Sequence, residues 1–245
     1  MMMGGIVLPQ INLTISTDQT SYNIKTQAGN PAAASLIVLT VNTGIKARNM
    51  VSGALVAGTK IRIVNNGCIY GQGGTGGTGG NAQEGVSNPG TSGSVGNAAI
   101  DLQAGSLALE IDNTNGYVLG GGAGGHGGAS FYAAFGNTGG GGGGGGAGGG
   151  TYGNGGTIGT GSVAPANGVA SYQPHWSGSI WDQGFPSQSM EVGTGGAGGH
   201  DFYGDGAAGL SGTAYGASGK AVNLNGNPIT WLGGNNSTQV KGAVS

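Results

Sequence analysis

Charge is scarce in this chain: Lys, Arg, Asp and Glu together make up 7% of its 245 residues. Proline is scarce as well, at 7 residues, and there is one cysteine, Cys68. A single cysteine has no partner within the chain, which excludes a disulfide framework. Glycine runs without a strict Gly-X-Y period and almost without proline exclude a collagen triple helix. Low charge combined with 36% hydrophobic residues and a mean hydropathy of −0.04 is not the highly charged, poorly hydrophobic profile of a disordered chain. No segment approaches the roughly 20 apolar residues of a membrane span, so no membrane insertion is expected. The opening MMMGGIVLPQ has no basic region and too short an apolar run for a signal peptide, which predicts a protein made and folded in the cytoplasm.

The few charges are unevenly placed. Lys25, Lys46, Arg48, Lys60 and Arg62 lie in the first quarter, and Lys220 and Lys241 near the end. Between Arg62 and Lys220 every charged residue is acidic: Glu84, Asp101, Glu110, Asp112, Asp182, Glu191, Asp201 and Asp205. Phosphate backbones need clustered Lys and Arg. Nucleic acid is therefore excluded as a partner.

What the chain has in quantity is glycine, 62 residues. Ordering that many costs on the order of tens of kcal/mol more than ordering alanine. No side chain offsets the cost, so backbone hydrogen bonds and close backbone packing must. Polyproline-II-like strands, with three residues per turn, meet that need if several pack side by side. Glycine-rich runs return at 71–80, 120–128, 136–150, 153–161 and 193–199.

Residues 11 to 63 differ. Ile11-Asn12-Leu13-Thr14-Ile15, Leu36-Ile37-Val38-Leu39-Thr40-Val41 and Lys60-Ile61-Arg62-Ile63-Val64 are β-branched or alternating runs bounded by turn residues, the pattern of half-buried strands. An internal repeat follows. Residues 60–77 (KIRIVNNGCIYGQGGTGG) and 107–125 (LALEIDNTNGYVLGGGAGG) each carry a strand, an Asn-Gly turn, a short apolar strand and a glycine run, 49 residues apart from the Asn onward. A looser copy runs from Lys220-Ala221-Val222 through Asn225-Gly226 to Ile229-Thr230-Trp231, and another is built around Leu39-Thr40-Val41. Asn-Gly between apolar alternations predicts hairpins. The expected fold is mostly β and irregular: short rungs and hairpins plus a bundle of polyglycine-II helices, with almost no α-helix. Two parts are expected, a β-rich segment over 1–63 and a glycine-rich repeat domain over 64–245.

Strand, Asn-Gly, short apolar strand and then a GxGGxGG run resembles the glycine-rich phage tail proteins, among them the tail-fibre tip adhesins of T-even-like phages. The likeness covers residues 60–245 as a pattern; the N-terminal part resembles the β-rich lead-in of such tail proteins. It implies a virion protein at a tail or tail-fibre tip, made in the host cytoplasm, that binds a receptor on the bacterial outer surface, protein or glycan, to start adsorption. It implies loops between glycine segments that meet the host, while the basic residues gathered before Lys60 and the β-rich pattern beside them point to attachment to other phage tail proteins through residues 1–63. The alternative is a structural tail-tip or scaffold protein without receptor contact.

Chemistry is thin beside this. Gly-x-Gly-x-x-Gly matches lie in no strand–helix setting, which removes a dinucleotide site. His126 and His200 share the setting GGAGGH but lack the spacing of a zinc motif; no metal or other cofactor is expected. No nucleophile elbow or paired-carboxylate spacing appears, and no enzyme is expected. Aromatics are more telling, because 13 of 15 lie from Tyr117 onward. Tyr and Trp give large contact area at small entropic cost. The receptor-binding candidates are Tyr172, His175, Trp176, Trp181, Asp182, Gln183 and Phe185 in one loop, with Phe131, Tyr132 and Tyr203 beside it. The competing reading is that these rings cap the open end of the glycine bundle.

Overall fold

Alternation with a period of two gives strands that bury one face, and Asn, Gly or Pro every few residues keeps those strands short. The structure, a computed structural model, describes residues 7–81, 90–127, 131–133, 136–138, 175–176, 181–182 and 218–245. Its strands do not fold back on one another at the Asn-Gly turns. Among the described residues they wind in one direction through three parallel sheets, in five coils.

The first coil holds β1 (Gln10–Ile15), β2 (Tyr22–Asn23) and the single turn α1 (Ile24–Gln27), whose N-cap Asn23 accepts from Thr26 N–H. The second holds β3 (Leu36–Val41), β4 (Lys46–Arg48) and β5 (Met50–Val51); the third, β6 (Lys60–Asn65), β7 (Cys68–Tyr70) and β8 (Ile100–Asp101). The fourth holds β9 (Ala108–Asp112) and β10 (Tyr117–Leu119), then two short hairpins, β11 (Phe131–Ala133) with β12 (Gly136–Thr138) and β13 (His175–Trp176) with β14 (Trp181–Asp182), and returns at β15 (Val222–Asn223). The last holds β16 (Ile229–Gly233) and β17 (Val240–Lys241), and Val244 bridges back to Val222.

The sheets follow directly. β1-β3-β6-β9-β16 form the first, β4-β7-β10-β17 the second and β2-β5-β8-β15 the third, each parallel throughout. The product is a three-sided parallel β-solenoid, in which each coil bonds only to its neighbours. Registered columns fill the interior. Ile11, Ile37, Ile61, Leu109 and Ile229 stack, as do Leu13, Leu39, Ile63, Ile111 and Trp231. Ala47, Ile69 and Val118 from the second sheet and Met50, Ile100 and Val222 from the third complete the same buried core. Outside, Arg62 on β6 pairs with Glu110 on β9 at 2.6 Å. Residue 63 lies within β6, so strands on both sides of it share one sheet.

The rungs are as expected, but the hairpin reading of Asn66-Gly67 and Asn115-Gly116 is corrected: β6 and β7 lie in different sheets, and so do β9 and β10. Each Asn-Gly turns the chain around a corner. Strands within a coil are denied to one another because the coils above and below already supply their backbone partners. A Cβ on Gly67 would overlap the Ile45 carbonyl of the preceding coil, so only glycine lets the corners nest. Asparagines lock the stack. Asn65 Nδ2 donates to Asn113 Oδ1 at 2.7 Å and to Tyr117 O at 3.0 Å, and Asn115 Nδ2 to Asn66 Oδ1 at 3.2 Å. The 49-residue repeat is thus one coil resting on the next, with Cys68 paired to Tyr117. The copy at 220–226 is out of phase. There Val222-Asn223 belongs to the third sheet, and Asn225-Gly226 turns toward the first.

The outer side of the second sheet carries a small buried cluster, Cys68, Tyr70 and Leu119, with Tyr117 packed against it. Burial pushes the Cys68 thiol upward. It also pushes the Tyr70 hydroxyl up to about 12, against the pull of Arg48. An unfolded tyrosine ionises near 10.0, so the unfolded chain loses that proton first. The stability held by keeping Tyr70 neutral is complete below pH 10 and lost as pH rises toward 12. In a spectrophotometric titration one tyrosine should ionise about two units late, and Tyr70→Phe should remove that late step.

Candidate functional site

The second and third sheets meet at one corner of the solenoid, and the corner differs from coil to coil. In the second coil it is a single residue, Asn49, held left-handed at φ 49°, a conformation asparagine tolerates better than most residues. In the third coil it opens into residues 71–99 and in the fourth into residues 120–221, since β8 and β15 resume the third sheet afterwards. Both glycine-rich excursions therefore leave and re-enter at the same corner.

Their first residues prolong the second sheet. Gly71 N–H donates to Leu119 O, Gly74 to Gly122 O and Gly77 to Gly125 O, all at 2.8 Å. The spacing of bonds has changed from two residues to three. A returning segment closes a triangle: Thr91, Ser94 and Asn97 donate to Thr78, Thr75 and Gln72 carbonyls, and Gly127, Gly124 and Gly121 donate to Thr91, Ser94 and Asn97 carbonyls. Each segment therefore bonds to both others once per three residues.

The missing side chains follow the same cycle. A Cβ on Gly71, Gly74 or Gly77 would overlap the carbonyls of Asn97, Ser94 and Thr91. One on Gly93 or Gly96 would strike Gly124 or Gly121, and one on Gly121, Gly124 or Gly127 would strike Gln72, Thr75 or Thr78. Every third position must be glycine because a neighbouring backbone occupies the place of its side chain. In 71–80 and 91–97 the residues on the cycle that are not glycine face outward, whereas Ala123 and His126 in the third segment are buried. On the outward side Asn49 Oδ1, Ser94 Oγ and Thr91 Oγ1 accept the N–H groups of Gln72, Thr75 and Thr78 at 2.7–2.8 Å, so side-chain oxygens take the place of a further strand.

All ten candidate receptor-binding residues lie in the second excursion. Within the described residues, β11 pairs antiparallel with β12, setting Phe131 opposite Thr138 and Tyr132 opposite Asn137. β13 pairs antiparallel with β14, setting His175 opposite Asp182 and Trp176 opposite Trp181. Four residues of the principal loop thus share one hairpin. Tyr172, Gln183, Phe185 and Tyr203 lie outside the described residues. His126 is buried, 5% exposed, with Nδ1 against Gly127 O. Among the described residues no group of three His, Cys, Asp or Glu side chains could hold a metal.

Sequence reasoning missed one feature. A cleft of about 480 Å³ lies at the root of the excursions, lined by Asn49, Asp101, Asn97, Lys220 and Asn223 among others. On its floor Lys220 Nζ donates to Asn223 Oδ1 at 2.9 Å and Asn223 Nδ2 to Asp101 Oδ1 at 2.7 Å. Asp101 and Asn223 are adjacent only because the coils stack, so no local motif announces them.

Comparison with known proteins agrees with this architecture. The family model described as "Phage tail fibre adhesin Gp38" matches residues 10–244. The chain belongs to that family, and is accordingly an adhesin of a phage tail fibre, a component of the virion. No curated protein matches. Among solved structures, the chain aligns with one described as the crystal structure of the gp37-gp38 adhesin tip complex of the bacteriophage S16 long tail fiber. The TM-score is 0.56 at 21% identity, covering 93% of this chain and 80% of that one. The likeness is one of fold.

The glycine triangle makes a sharp contrast testable. Gly74→Ala places a methyl in the Ser94 carbonyl and should cost about 1–3 kcal/mol, the usual penalty of overpacking. Gly105 has open space around its Cβ position and no left-handed φ, so Gly105→Ala should stay within about 0.5 kcal/mol. Thermal unfolding of the two variants side by side checks this.

Proposed function

We propose that this adhesin binds its bacterial receptor, protein or glycan, through the second excursion, held out from the solenoid by a bundle of polyglycine-II helices. The observation that carries the reading is the three-residue hydrogen-bond cycle among 71–79, 91–97 and 119–127. Polyglycine-II packing has that period, with each strand donating to several neighbours. Glycines 73, 76 and 79 are buried as well, and the runs at 136–150, 153–161 and 193–199 have the composition to extend the lattice. A bundle so bonded is stiff without a side-chain core, which suits a mount for short hairpins. The Tyr172–Phe185 loop is the receptor contact, with Trp176 and Trp181 as anchors and His175, Asp182 and Gln183 around them. Phe131, Tyr132 and Tyr203 flank it. The reaction is binding alone, without catalysis or a cofactor.

We assign the opposite duty to residues 1–63, docking on another tail protein. The S16 relative is described as a complex of gp37 with gp38, and this chain has a suitable free end. β1 is an uninterrupted six-residue edge, with Ile11 and Leu13 only partly buried beneath it. The other end is blunted: β16 carries a register shift between Trp231 and Gly233, and bulged edges resist pairing. Gln239 Nε2 closes that corner by donating to the carbonyls of Asn113, Thr114 and Gly116.

Two experiments separate these roles. Trp176→Ala and Trp181→Ala should each weaken cell binding roughly thirtyfold or more, as for anchor aromatics at an interface, with little change in melting temperature. Loss of stability with binding reduced only in proportion would identify the rings as a lid and overturn the receptor assignment. Ile11→Lys with Leu13→Lys should block incorporation into particles while the purified protein still binds cells. Normal incorporation would place the docking surface elsewhere.

A further inference from the structure

The three Asn-Gly steps among the described residues are chemically alike and structurally different. At Asn66-Gly67 the glycine is buried and its N–H donates to Asn65 Oδ1 at 3.2 Å. At Asn115-Gly116 the glycine is again buried, and its N–H donates to Asn113 O at 3.2 Å. At Asn225-Gly226 both residues are exposed, the space around the Gly226 Cβ position is open, and neither the Gly226 N–H nor the Asn225 side chain bonds to a described residue. The pair occupies a two-residue turn, φ 49° and 79°, closed by Asn227 N–H to Leu224 O at 2.9 Å.

We propose that Asn225 is the site at which the folded solenoid deamidates. In that reaction the Gly226 backbone nitrogen, after losing its proton to base, attacks Asn225 Cγ. The new N–C bond closes a five-membered succinimide, and the side-chain nitrogen leaves as ammonia. Water then opens the ring at either carbonyl, giving aspartate, or isoaspartate with one extra methylene in the backbone. The step needs a nucleophilic nitrogen free of other bonds and a turn that can rotate to bring it to Cγ. Asn225-Gly226 meets both conditions, because both residues are exposed and no described residue lies against the Gly226 Cβ position. Gly67 and Gly116 meet neither, because each is bonded and nested against the adjoining coil.

The place of the turn gives the reaction a consequence. Just after it, Asn227 stitches the last coil to the fourth: Leu107 N–H donates to its Oδ1 at 2.7 Å, and its Nδ2 donates to Ala104 O at 2.8 Å and Leu224 O at 2.7 Å. Just before it, Leu224 N–H donates to Ser245 O. An extra methylene at 225 lengthens a turn whose two ends are fixed by these bonds, so isoaspartate loosens the last coil first.

The test is to incubate the intact protein at mildly alkaline pH and follow each Asn-Gly step by peptide mapping that resolves aspartate from isoaspartate. Asn225 should convert at least about tenfold faster than Asn66 and Asn115, the factor one protected backbone hydrogen bond is worth. In urea the three should convert at similar rates, which assigns the difference to the fold. Hydrogen exchange of the aged protein should rise in residues 222–245 before it rises in 36–65. Asn225 persisting in the folded protein while it converts in urea, or Asn66 or Asn115 keeping pace with it in the folded state, overturns the proposal.

Discussion

One hand-over of hydrogen bonds governs what lies beyond the solenoid. Up to Leu119 the second sheet is an ordinary parallel ladder in which alternate residues bond to a neighbour. From Gly71 N–H to Leu119 O onward the same two chains continue side by side, but the bonds recur every third residue and turn toward two partners. The glycine segments are thus started in register by strands already fixed by the core. Nucleating such a lattice from a free chain would be costly, since glycine loses more freedom on ordering than any other residue. Here the ladder between β7 and β10 holds Gly71 beside Leu119, and each later bond adds to it.

The price of this arrangement falls on individual positions. Gly71, Gly74, Gly77, Gly93, Gly96, Gly121, Gly124 and Gly127 have their Cβ sites filled by another backbone, whereas Gln72, Thr75, Thr78, Thr91, Ser94 and Asn97 do not. The GGx rhythm of 71–80 is therefore a map of inside and outside, read at every third residue in the way that alternation is read along a strand.

Much of this was legible in the chain. Alternation over 11–15, 36–41 and 60–64 marked β1, β3 and β6, and the repeat at 60–77 and 107–125 marked two like units, which the structure stacks as neighbouring coils. Glycine composition pointed to backbone packing, and the resemblance of the repeat pattern to glycine-rich phage tail proteins pointed to an adhesin. Pairing was not legible. Asn66-Gly67 has the local signature of a hairpin, and only the presence of coils on both sides, a non-local fact, makes it a corner. The out-of-phase copy at 220–226 misled for a related reason: strand, Asn-Gly and strand recur at two different corners, and sequence similarity does not say which. The shared floor of Asp101, Lys220 and Asn223 was invisible because it depends on a register between residues far apart in the chain. The aromatic candidates stood out by composition, and the pairing of His175 with Asp182 and Trp176 with Trp181 gives four of them a common backbone frame.

Asn49 shows what the corner looks like when nothing is inserted: one residue joins β4 to β5. Residues 71–99 and 120–221 join equivalent strands in the next two coils, yet all three coils keep the same registers on either side. The solenoid fixes only where an excursion begins and ends, and those points lie next to each other. To the coils, an excursion of any length or composition is the same connection. A lineage that exchanges residues between Leu119 and Val222 can leave the registers of all the coils as they are.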